Sequence, residues 1–168
     1  MKLRQVISGG QTGADRAGLE CARDLGLETG GTAPKGYRTE NGPDVSLRDF
    51  GLVESHSASY PDRTRANVRN SDATIWFGTV DSPGYWCTKH AADYYTKRFW
   101  VNPTSVQMKA AIAEYEVVNV AGNRLARHPH VPLPQGNAGR RGNRGRHSRR
   151  RFSHHLRPVD EPVEQVAV

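Results

Sequence analysis

The sequence predicts an α/β domain, with a mainly parallel sheet covered on both faces by helices. Two observations carry that expectation. Short apolar runs rich in Val, Ile and Phe alternate with helix-like segments as far as residue 122. The first run is also followed directly by a glycine-rich loop and a helical pattern, the order of a strand–loop–helix unit.

Leu3 to Ile7 reads as a buried strand closed by Ser8-Gly9-Gly10. Ala14, Ala17, Gly18, Cys21, Ala22 and Leu25 recur at helical spacing, so a helix is expected over 13–25, with Gly26 as its C-cap. Leu27–Ala33 is a weaker strand interrupted by Gly30 and Gly31. Residues 34–64 read mostly as loop, with a short strand near Leu52-Val53-Glu54. A short helix follows over Arg63–Asn70, then the clearest strand, Ala73–Phe77. A helix over Tyr85–Lys97, a strand at Phe99–Val101 and a helix from a Thr104 or Ser105 cap to Tyr115 come next. Val117–Gly122 is the last strand.

Composition divides the chain into a domain, 1–127, and a tail, 128–168. The 168 residues carry a net charge of +7, but residues 1–133 hold 16 basic and 14 acidic side chains. Residues 134–168 hold 8 Arg and 3 acids, so the basic character belongs mainly to the tail. Rich in Gly, Asn, Arg, Ser and His and poor in apolar residues, the tail is expected to be disordered. Arg140, Arg141, Arg144, Arg146, Arg149, Arg150 and Arg151 offer phosphate contacts for nucleic acid; a solubilising extension is the simpler reading. No run approaches the length of a membrane-spanning helix, and the N-terminus reaches Ser8-Gly9-Gly10 too soon for a signal peptide, so a cytoplasmic location is expected. Cys21 and Cys87 are expected to be reduced. His128 with His130, or His147 with His154 and His155, have no CxxC partner, so no structural metal is expected.

Ser8-Gly9-Gly10-Gln11-Thr12-Gly13-Ala14-Asp15 is the chemically informative stretch. Glycines between a strand and a helix let backbone amides face an anion, and the helix dipole adds to the attraction. Ser8 and Thr12 can donate hydroxyl hydrogen bonds to it. The loop lacks the Lys-Ser/Thr ending of a P-loop and is not G-x-G-x-x-G, which argues against ordinary ATP hydrolysis. Pro34-Lys35-Gly36-Tyr37-Arg38 supplies two cations that can close over phosphate. Arg63, Asn67 and Asp72 precede the Ala73 strand, and Gly84 with Thr88 opens a second candidate cradle. No Ser-His-Asp set or convincing pair of catalytic carboxylates is present; Asp15 and Asp72 are the acid/base candidates.

Ile7 to Arg16, Pro34-Lys35-Gly36, Arg63-Thr64 with Asn67, Ser71-Asp72-Ala73-Thr74 and Asn119-Val120-Ala121-Gly122 together resemble the family named putative molybdenum carrier, within the SLOG superfamily of Rossmann-like nucleotide-binding proteins. The resemblance covers residues 3–125 and implies a Rossmann-like three-layer α/β/α sandwich. Relatives include cytokinin-activating phosphoribohydrolases and DNA-processing proteins. It implies a site formed by Gly9, Gly10, Gln11, Thr12, Gly13, Asp15 and Arg16, joined by Lys35, Arg63, Asn67, Asp72, Gly84 and Thr88. The implied ligand is molybdenum cofactor or a nucleotide derivative. Homo-oligomers built through flanking helices are an expectation by analogy.

Two departures bear on activity. Many relatives have Gly-Gly-Thr or Gly-Thr at the second cradle, where this chain has Gly84-Tyr85. The phosphoribohydrolases place a Glu just after it, whereas Thr88 is followed here by Lys89, His90 and Ala91. Binding of a phosphate-bearing ligand is therefore the leading expectation, ahead of a nucleotide or N-glycosyl hydrolase using the same site.

Overall fold

The structure, a computed structural model, describes residues 2–124. The expected tail and its Arg and His clusters lie outside the described residues. Among the described residues there are eight strands: β1 (Gln5–Ser8), β2 (Glu28–Ala33), β3 (Arg38–Thr39), β4 (Gly42–Pro43), β5 (Leu52–Glu54), β6 (Ala73–Phe77), β7 (Arg98–Val101) and β8 (Val117–Gly122). Four α-helices accompany them: α1 (Ala14–Asp24), α2 (Tyr60–Arg69), α3 (Pro83–Tyr94) and α4 (Ser105–Glu114).

Six strands form one sheet in the order β5-β2-β1-β8-β6-β7, with every neighbouring pair parallel. Its central pair, β1 and β8, is in register from Gln5 opposite Val117 to Ser8 opposite Val120. Alternation along β8 separates the two faces. Val118 and Val120 pack with Leu3, Val6, Ile75, Ala22 of α1 and Ala111 of α4. The opposite face is covered by α2 and α3, whose Val68, Ala91 and Ala92 form a second cluster with Phe99 against it. The expected α/β layering is thus present.

α2 and α3 start a few residues ahead of the sequence expectation, because Pro lies inside their first turns rather than ahead of them. Pro61 sits in the first turn of α2, and Pro83 opens α3 behind Ser82, whose hydroxyl accepts the Tyr85 amide at 3.2 Å. At α4 the cap is Thr104, which forms a reciprocal capping box with Gln107.

Residues 34–64 are more ordered than expected. They contain 3-10 turns at Lys35–Tyr37 and Val45–Phe50 and the β3–β4 hairpin, besides the expected β5. Tyr37, Leu47 and Phe50 are spaced without helical or strand period, yet they bury with Leu19, Ala33 and Leu52 in a separate cluster. That burial orders a segment whose local pattern predicts no regular element. Among the described residues, no helix is long and apolar enough to cross a membrane.

Candidate functional site

β1 ends at the centre of the sheet, and its loop delivers the amino end of α1 to the carboxyl edge of β1 and β8, where open parallel sheets collect ligands. Gly10 (φ +71°) and Gly13 (φ +85°) adopt left-handed backbone that favours glycine, which accounts for the loop's composition. Ser8 is fully buried and donates its hydroxyl to the Val120 carbonyl at 2.7 Å, tying β1 to β8.

Asp15 lies in the first turn of α1 with only 4% of its side chain exposed. Its carboxylate accepts the Gln11 amide at 3.3 Å and a hydrogen bond from the Gly122 amide, and pairs with Arg63 Nη1 at 3.3 Å. Burial pushes the Asp15 carboxyl above its usual range, and the guanidinium and the two amides offset that rise only in part. Arg63 crosses from α2, 12% exposed, and lies directly over Gly9: a Cβ there would fall 1.5 Å from Nη1. Its Nε has no partner among the described residues. Tyr60 stands beneath two cations, with the Arg63 and Arg124 guanidinium carbons 5.8 and 4.5 Å from its ring centroid.

These groups border a cleft of about 460 Å³ on the α2/α3 side of the carboxyl edge. Of the residues expected at the site, Gln11, Asp15, Arg63, Asn67, Gly84 and Thr88 line it. Ser8, Gly9, Gly10, Thr12, Gly13, Arg16 and Lys35 do not, although all but Lys35 belong to the adjoining loop and helix. Lys35 is exposed after β2, with its amide donating to the Ser57 carbonyl. Arg16 pairs with Asp44 at 2.8 Å and with Glu20.

Asp72 is not brought to this site. It precedes β6 at the amino end of the sheet, where its carboxylate accepts the Glu116 and Val117 amides at 3.0 and 2.9 Å. It secures the start of β8, so only Asp15 of the two acid/base candidates lies in the cleft. Asn67 is also held structurally: its amide accepts from Thr32 N–H at 2.7 Å and donates to Thr32 C=O at 3.1 Å, docking α2 on β2. Asn67→Ala leaves both backbone groups without those bonds and is expected to cost about 1–3 kcal/mol by urea unfolding. A loss below about 0.5 kcal/mol would contradict this docking role. Thr88 returns its hydroxyl hydrogen bond to Gly84 C=O at 2.8 Å.

Several lining residues were not among those expected. Asn119 sits within the apolar run of β8, 2% exposed, and donates to Thr74 Oγ1 at 3.2 Å on the cleft side of the sheet. A buried amide inside an apolar strand is a signal the sequence carried. Trp76 lines the wall with Tyr85 edge-on against it at 5.5 Å, and Arg124 borders the cleft beyond β8. Cys21 and Cys87 are free thiols. Among the described residues, no group of three His, Cys, Asp or Glu could hold a metal.

Comparison with known proteins places this geometry in a family. The crystal structure of a putative molybdenum carrier protein from Syntrophus aciditrophicus SB is 31% identical, with a TM-score of 0.65, over 73% of this chain and 84% of that one. No curated protein matches the chain. The sequence model of the circularly permutated YpsA SLOG family matches residues 6–135. The chain belongs to the circularly permutated YpsA SLOG family.

Proposed function

We propose that this protein binds a phosphate-bearing small molecule, molybdenum cofactor or a nucleotide derivative, at the carboxyl edge of β1 and β8. The observation that carries this reading is the convergence of the α1 amino end with Arg63 and Arg124 on one cleft of about 460 Å³. That volume lies within the range of small-ligand sites, and both cations and helix amides suit phosphate oxygens. The name of the Syntrophus protein supports the molybdenum-cofactor arm, and the superfamily resemblance supports the nucleotide arm.

Native mass spectrometry of the purified protein, followed by identification of any released molecule, tests the reading. A molybdenum pterin supports the carrier arm and a nucleotide the other. If nothing is released, calorimetric titration with pyrophosphate and nucleoside monophosphates decides, and dissociation constants all weaker than about 1 mM would count against it.

Gly10→Val is a poor probe of the loop, since a Cβ there would meet Leu47 and Leu52 methyls at 2.7–2.9 Å and disturb the core. Gly9→Ala is cleaner, because the obstructing atoms are the far end of the Arg63 side chain. It is expected to shift that guanidinium and weaken binding of the released ligand, or of pyrophosphate, about tenfold, or 1.4 kcal/mol. Unchanged affinity in folded Gly9→Ala would remove Arg63 from the binding site.

A second reading is hydrolysis of a nucleotide, with Asp15 as the acid/base group. The buried carboxyl with its raised pKa beside a cleft favours it. Incubation with a nucleoside monophosphate panel tests it, and absence of free base, phosphate and ribose phosphate counts against turnover.

A further inference from the structure

Three side chains of the loop and α1, Gln11, Thr12 and Arg16, are met by one segment, 38–44. Gln11 Nε2 donates to the Arg38 carbonyl at 3.1 Å. The Glu40 carboxylate accepts the Thr12 amide at 3.1 Å and also the Thr12 hydroxyl. Asp44 Oδ2 pairs with Arg16 Nη2 at 2.8 Å. Two carboxylates from one segment therefore take the positions that ligand anions would take at a helix amino end and its guanidinium.

The segment is attached in an unusual way. Tyr37 and Leu47 are buried at its two ends, but no residue from Arg38 to Ser46 is buried between them. Its β3–β4 hairpin is closed by its own contacts, Thr39 Oγ1 to Gly42 C=O at 2.8 Å and the Asn41 amide to Thr39 Oγ1 at 3.2 Å. Its bonds to the loop and α1 are polar. Lifting it away exposes little apolar surface, so the opening belongs to the low-free-energy class of local motions. The groups beneath are equipped for another partner. Arg16 Nη1 has no partner among the described residues, which leaves a donor for an anion.

We propose that residues 38–44 form an anionic strap, standing in for ligand phosphates on Thr12 and Arg16, which a ligand bearing two adjacent anionic groups displaces. This rests on the reading of the glycine-rich loop as an anion site. Thr12 and Arg16 are each met by a carboxylate of their own, so two linked anionic groups match the pair better than one. Displacement would let the ligand reach from the cleft onto the loop amide and the Arg16 guanidinium, while Glu40 and Asp44 return to water.

The test is calorimetric titration of inorganic pyrophosphate, with orthophosphate beside it, into the wild-type protein, Glu40→Ala and Asp44→Asn. Asn at 44 keeps an acceptor for the Ser46 amide, which Asp44 now caps at 3.0 Å. Each variant is expected to bind pyrophosphate at least about fivefold more tightly, with a smaller gain for orthophosphate. In the wild type, pyrophosphate is expected to speed hydrogen exchange of amides 39–42. Equal or weaker pyrophosphate binding by both variants, or unchanged exchange in that segment with the anion bound, overturns the strap and leaves the loop as an anion site. Absence of binding by all three proteins overturns the strap and the anion-site reading of the loop together.

Discussion

Replacing Arg63 by Met is expected to destabilise the protein by about 3–5 kcal/mol at neutral pH, the scale for removing one partner of a buried ion pair. Asp15 is 4% exposed and Arg63 12%, so solvent does little to replace the lost cation. The Met side chain retains much of the stem volume, which isolates the charge from the packing. The effect depends on pH in a direction set by Asp15. Burial already places the folded-state pKa of Asp15 above its unfolded value, and Arg63 holds it down in part. Without Arg63 the folded value climbs further. Above that value the variant carries the full penalty of an uncompensated carboxylate. As the pH falls through it, the carboxyl takes up a proton and the gap from wild type closes. Urea unfolding at about pH 8 and about pH 5 measures this, and a destabilisation equal at both would refute the electrostatic account. The same substitution removes a cation from the cleft, so ligand affinity should fall even under conditions where the variant is fully folded.

The centre of the sheet was legible because β1, β6 and β8 are short apolar runs rich in Val, Ile and Phe, separated by turn residues. The Ala73–Phe77 expectation and the observed β6 coincide. The 34–64 region was less legible for a physical reason: Tyr37, Leu47 and Phe50 are ordered by a shared cluster with Leu19 of α1, Ala33 of β2 and Leu52 of β5. Local pattern carries no record of such contacts. The site divides along the same line. The strand–loop–helix unit with its Asp15 is visible in the sequence, since glycines at left-handed positions and a first-turn acid are local features. The pairing of Asp15 with Arg63 spans 48 residues and that of Thr12 with Glu40 spans 28, and neither has a local signature. Asp72 shows the opposite error. A polar residue just before a strand suggests a site, yet it lies at the amino edge, where its carboxylate serves the backbone of a neighbouring strand.

Gly122→Ala is expected to cost about 3 kcal/mol or more and to disturb the site at the same time. Gly122 closes β8 opposite Phe77 of β6, and its amide donates to Asp15. A Cβ there would fall 2.1 Å from the Phe77 carbonyl oxygen and 2.5 Å from Ala14 Cβ. Neither obstacle is the tip of a mobile side chain. One is the backbone of the adjacent strand, and the other is the first residue of α1. Relief requires β8 to part from β6 or α1 to withdraw, and either movement carries the Gly122 amide away from the Asp15 carboxylate. The glycine ending Asn119-Val120-Ala121-Gly122 therefore permits the close approach of sheet and helix on which the Asp15–Arg63 pair depends. A double-mutant cycle between Gly122→Ala and Arg63→Met checks this coupling through urea unfolding. If the two act through one network, their combined cost falls short of the sum by more than about 0.5 kcal/mol. Simple additivity would mean that Gly122 serves strand packing alone.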